Sequence, residues 1–140
     1  MNYVSLFDEP MVVAFPTGHE LESYDAIPLA EVLRYQYVER LHCEFRQETY
    51  EFSKGRDVEM RVVFRSERED WIQGLVQDGA GVTVIPRYSL LQSELDFRPV
   101  TDPVLTRSVE LAVLKDAEVS PALERLISEA SAYPWPLEIR

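Results

Sequence analysis

A chain of 140 residues with 46% hydrophobic content has room for one substantial core and too little for two independent ones. Its 14 basic and 25 acidic residues give a net charge of -11, which repels phosphate backbones and anionic membranes, so this chain alone is not expected to bind DNA, RNA or a membrane surface. The single cysteine, Cys43, rules out an internal disulfide. "MNYVSLFDEP" offers no export signal and no apolar run approaches a bilayer span, so a soluble, cytoplasmic protein is expected.

In chain order, "PMVVAFP" (10–16) predicts a short buried strand between prolines, "TGHELESYDA" a loop, and "PLAEVLRY" (28–35) a short helix with Leu29, Val32 and Leu33 on one side. "QYVERL" then reads as a strand, "CEFRQETYEFSKG" as a polar helix closed by Gly55, and "VEMRVVF" (58–64) as another strand.

The clearest helix is "SEREDWIQGLVQDG". Ser66 and Glu69 stand at capping-box spacing, and Glu67 and Asp70 add negative charge near the helix start. Trp71, Ile72, Leu75 and Val76 recur at helical spacing, and Gly79 suits a left-handed C-terminal turn. The order helix, glycines, strand excludes a dinucleotide fingerprint, which needs its glycines after a strand and before a helix. The remaining reading is a tight helix-to-strand return in which Gly81 lets the backbone pass close beneath a neighbour.

"GVTVIP" and "VELAVLK" (109–115) read as strands covered on both faces, and "SPALERLISEASA" as an amphipathic helix with Ser120 as N-cap, Pro121 at its first position and Leu123, Leu126, Ile127 and Ala130 on one face. Alternating strands and helices predict an α/β unit with a mostly parallel sheet and helices on both faces.

Five pieces occur in one order: "FPTGHEL" (15–21), an "LAEVL" helix, Ser66 through Pro86 with its "LV-x-x-G-x-G-V-x-V-x-P" pattern, "FRPVTDP" (97–103), and "RSVELAVLK" followed by a helix entered through "SPAL". Together they resemble the effector-binding domain of LysR-type transcriptional regulators over most of the chain. The resemblance implies the second subdomain of a periplasmic-binding-protein-like (type 2) effector domain at about 10–100, and a returning strand and C-terminal helix at about 104–140. The family's N-terminal winged helix-turn-helix and the opening of its first subdomain have no counterpart, so the chain is expected to be truncated on that side.

In that family the effector sits in a cleft between the subdomains, which implies an effector site here at Phe15, Thr17, Arg65, Ser66 and Glu67. Ser66 reads equally well as an N-cap and Phe15 as core packing. His19 is expected to fix its loop. "LHCE" (41–44) gathers a thiol, an imidazole and a carboxylate. Some relatives sense peroxide through a cysteine in this part of the fold, which makes His42 and Cys43 a redox candidate, although no resolving cysteine is present.

Neither a metal-ligand spacing nor a nucleophile paired with a base is found, so no metal, cofactor or catalysis is expected. The expected function is small-molecule effector sensing by a homo-oligomer. The alternative is a stand-alone, degenerate ligand-binding or oligomerising protein with no DNA role.

Overall fold

The computed structural model describes residues 1–116 and 118–135; residues 117 and 136–140 of the expected C-terminal segment lie outside them. The first strand, β1 (Asn2–Pro16), is 15 residues long, far longer than the strand expected at 10–16. The chain divides into two compact units, Pro10–Leu105 and Met1–Glu9 with Thr106–Arg140. The division falls at Pro10, which has no N–H to give to a ladder.

In the unit Pro10–Leu105, β1 runs antiparallel to β5 (Thr83–Pro86), with Ala14 opposite Thr83 and Met11 opposite Pro86. On its other side it runs antiparallel to β6 (Leu95–Thr101), and β6 pairs in parallel with the two-residue β2 (Ile27–Pro28). β3 (Gln36–Arg40) and β4 (Arg61–Ser66) form a separate parallel pair around the helix α2 (Arg46–Gly55). A single parallel bridge, Tyr37 to Val82, links β3 to the segment before β5. The sheet is therefore mixed, which corrects the mostly parallel sheet expected. Long apolar runs report cover on both faces, and here that cover falls on antiparallel strands.

β1 shows this directly. Met11, Val13 and Phe15 enter one core with Val82, Val84, Val100, Leu21, Ile27 and Tyr37, while Val12 and Ala14 enter another with Ile85. Full burial of one such side chain is worth about 1.5–3 kcal/mol. The expected helix at 28–35 shortens to the single turn α1 (Leu29–Val32), whose Leu29 and Val32 are buried.

Helix α3 (Glu69–Gln77) buries Ile72, Val76 and the polar Gln73. Both ends of the Gln73 amide are engaged: Oε1 accepts the Leu91 N–H at 2.7 Å and Nε2 donates to the Ser89 carbonyl at 2.8 Å, so the helix pins the loop after β5. Trp71, expected on the buried face, is 53% exposed. It lies beneath the Arg68 guanidinium at 4.7 Å. Gly79 has φ +84, the left-handed turn its position demands.

In the other unit, β7 (Thr106–Val113) pairs with β1. Exposed and half-buried positions alternate along β7, which corrects the two-sided burial expected of "VELAVLK". Glu9, 1% exposed, is held by Arg107, and Phe7 stacks on Trp135 with centroids 5.3 Å apart. Helix α4 (Pro121–Ala132) is capped as expected, with Ser120 Oγ accepting the Leu123 N–H, yet none of its residues is buried. No helix among the described residues is long and apolar enough to cross a membrane.

Candidate functional site

Because β3 and β4 are parallel, their carboxyl ends meet, Arg40 opposite Ser66. The outer edge of carboxyl strand ends is where open α/β sheets collect ligands. The Leu41 N–H donates to the Ser66 carbonyl at 3.1 Å, and the turn that follows carries His42 and Cys43 back over this edge.

Two charged residues close β3, and both are buried. Glu39, with 3% side-chain exposure, accepts from Arg46 Nε at 2.5 Å and from Arg65 Nε at 2.6 Å. The Tyr50 hydroxyl donates to it at 3.1 Å. Arg40 is 7% exposed and meets Glu69, the first residue of α3, at 2.5 Å. That pair is incomplete: Arg40 Nη1 and Glu69 Oε2 are buried without a hydrogen-bond partner, a combination that costs free energy unless another group completes it.

At the rim, His42 Nε2 stands 3.6 Å from the exposed Glu67 carboxylate. Ser66 Oγ accepts the Arg68 N–H at 3.0 Å. The capping box expected from Ser66 and Glu69 does not form, because Ser66 completes β4 and the N-cap of α3 is Arg68. Asp70 takes over as the anion of the first turn: the Arg68 guanidinium, 2.6 Å away, holds its carboxyl below the ordinary value.

The structure gathers Arg65, Ser66, Glu67 and His42 at one end of the strands. Phe15 and Thr17 stand at the other, since β1 runs antiparallel to β5 and its carboxyl end meets the start of β5. Phe15 is wholly buried in the core. Thr17 donates from both N–H and Oγ1 to the Glu94 carbonyl. The strand directions therefore separate Phe15 and Thr17 from Arg65, Ser66 and Glu67.

Cys43 is half-buried and lines a cleft of about 10 Å³ with Tyr37, Arg40 and Tyr50, room for at most one water. Burial pushes its thiol up, away from the lowered pKa that makes a cysteine reactive. Among the described residues no three His, Cys, Asp or Glu side chains converge as a metal site. Glu39 and Arg40 are not among the site residues expected from the sequence, and Glu69 is expected there only as a capping-box partner of Ser66. The signal for Glu39 and Arg40 is "ER" closing β3 directly after Tyr37 and Val38.

The model of the LysR substrate binding domain matches residues 1–133. The chain belongs to this family. It is 24% identical over 126 residues to YybE, an uncharacterized HTH-type transcriptional regulator of Bacillus subtilis (strain 168), covering 89% of this chain and 43% of that one. This LysR domain thus spans less than half the length of that relative. Among solved structures it is similar to the regulatory domain of Synechocystis PCC6803 CcmR in complex with 2-PG, with TM-score 0.77, 20% identity, and 94% of this chain and 65% of that chain covered. It is also similar to the effector binding domain of QuiR in complex with shikimate, with TM-score 0.71, 22% identity, and 93% and 63% covered. The fold is therefore the α/β fold of LysR effector-binding domains.

Proposed function

We propose that this chain senses a small-molecule effector for a cytoplasmic LysR-type transcriptional regulator, and that the effector is held at the carboxyl ends of β3 and β4. The observation that carries the proposal is the unfinished pair of Arg40 and Glu69. A buried guanidinium nitrogen and a buried carboxylate oxygen lack hydrogen-bond partners at the strand ends where Ser66, Glu67 and His42 also lie. Such a pair favours a polar ligand able both to donate and to accept, such as a hydroxylated acid. CcmR with 2-PG and QuiR with shikimate, which share the fold, support a small polar effector of this kind.

Arg65 belongs to the site as a support, since its guanidinium is committed to Glu39. Phe15 and Thr17 serve the core and the loop. Binding here would act on a partner activity by shifting a conformational equilibrium, and no catalytic step is assigned. At a net charge of -11 the chain itself does not hold DNA.

Native mass spectrometry of the freshly purified chain tests the reading. A stoichiometric small-molecule adduct lost in Ser66→Trp supports it. An adduct that persists in Ser66→Trp refutes the placement of the site.

A further inference from the structure

The opposite end of the unit Pro10–Leu105, where β3 and β4 begin, holds a separate depression of about 410 Å³ lined in part by His19, Arg34, Tyr35, Arg61, Gly79 and Gly81. Its chemistry is basic in a chain of net charge -11. Arg34 leaves the turn after α1 and Arg61 opens β4, and the Arg61 guanidinium donates to the Arg34 carbonyl, which sets both cations on one wall.

The nearby carboxylates are already engaged. Glu31 pairs with the exposed Arg34 at 3.3 Å, so a bound oxyanion shares that guanidinium with it, and Glu20 accepts the Tyr35 hydroxyl at 2.7 Å. Burial and that hydrogen bond push the Tyr35 phenol up to about 12, so it stays a donor to Glu20 at neutral pH. His19 Nδ1 accepts the Leu21 N–H at 3.1 Å, which fixes the tautomer and makes Nε2 the donor nitrogen. The ring is wedged between Phe15 and Tyr35, with centroids 5.5 and 5.2 Å away.

Gly79 and Gly81 make the facing wall bare backbone, and neither can be replaced freely. Gly79 is left-handed at φ +84, and a Cβ on Gly81 would stand 2.4 Å from the Gln36 carbonyl oxygen. The result is an open basin lined by two arginines and an oriented imidazole together with the two glycines. Planar guanidinium groups recognise oxyanions through paired N–H donors.

We propose that this basin is a second ligand site, distinct from the effector site at the carboxyl ends of β3 and β4, and that it takes a small oxyanion, the phosphate or carboxylate group of a metabolite, between Arg34 and Arg61. The arrangement needs no rearrangement of the core, because every group involved is at the surface or on its rim. It is independent of the function proposed above, since no residue is shared between the two sites.

The test is an amide NMR titration of the full chain with inorganic phosphate and, separately, with succinate, at constant ionic strength against a chloride control. Saturable shifts confined to Gln36, Gly79 and Gly81 are expected, with affinity falling by about tenfold or more in Arg61→Gln. Arg34→Gln should act the same way and serves if Arg61→Gln does not fold. Saturation with phosphate alone assigns a phosphate group, and with succinate alone a carboxylate. Shifts that rise linearly with either anion, match those of chloride, or survive both substitutions overturn the proposal.

Discussion

Gly81 rides directly on the backbone of Gln36: a β-carbon at position 81 would stand 2.4 Å from the Gln36 carbonyl oxygen and 2.8 Å from its carbonyl carbon. Backbone cannot swing aside as a side chain can. The contact is fixed by the Val82 N–H, which donates to that same Gln36 oxygen at 2.9 Å. Gly81→Ala is therefore expected to lower unfolding free energy by about 1–3 kcal/mol through overpacking. Gly79→Val should cost more than about 1 kcal/mol through left-handed strain. Gly74, which has open space around it inside α3, supplies the control: Gly74→Ala should be neutral or stabilising by up to about 1 kcal/mol. Urea unfolding of the three variants checks the order, and equal midpoints for Gly81→Ala and Gly74→Ala would refute the close approach.

The Glu39 carboxylate has two cationic partners that are each about half-exposed, Arg46 and Arg65. Either alone can still neutralise it. Arg46→Ala and Arg65→Ala should each be tolerated, whereas the double variant should destabilise by far more than the sum of the two by leaving a buried charge uncompensated. A double-mutant cycle with additive losses would contradict this picture of a shared carboxylate.

The legible parts of the fold were those whose signals are local. Helix α3 and its left-handed Gly79, and α4 with its Ser120 cap, follow from spacing over a few residues. Strand direction was not legible, because β1 and β5 are apolar on both faces whether their neighbours run parallel or antiparallel. The start of β1 was missed for a related reason. Asp8 and Glu9 are charged, and the partner that holds the buried Glu9, Arg107, lies 98 positions away. The same blindness hid Glu39 and Arg40, whose partners come from α2, β4 and α3.

Cys43 is expected to behave as a quiet thiol. Burial raises its pKa, so at pH 7 its thiolate fraction is below that of a free cysteine, whose pKa is about 8.5. Alkylation by iodoacetamide should be slower than for free cysteine at pH 7 and should accelerate only at higher pH. The sign for stability follows: the unfolded thiol ionises first, so any contribution of Cys43 is present below about pH 8.5 and is lost as the pH rises through the folded value. Rapid, stoichiometric sulfenic acid formation at low peroxide, absent in Cys43→Ser, would show a sensory thiol instead.

Helix α4 buries no residue, and Leu126 on its apolar face is 56% exposed. Apolar faces of this sort are usually covered, and a homo-oligomer is the proposed cover. Sedimentation velocity should show a dimer or larger species that Leu126→Glu shifts toward monomer. A folded monomer at high micromolar concentration would remove the proposal.

An effector is expected to bind where β3 and β4 end. Calorimetric titration of the chain against a panel of small hydroxylated carboxylic and phosphorylated acids tests it most directly, with Ser66→Trp and Arg61→Gln run in parallel. Saturable, one-to-one binding of at least one compound is expected, lost in Ser66→Trp and unchanged in Arg61→Gln. Binding that survives Ser66→Trp, or a panel in which nothing binds the folded chain, would contradict it.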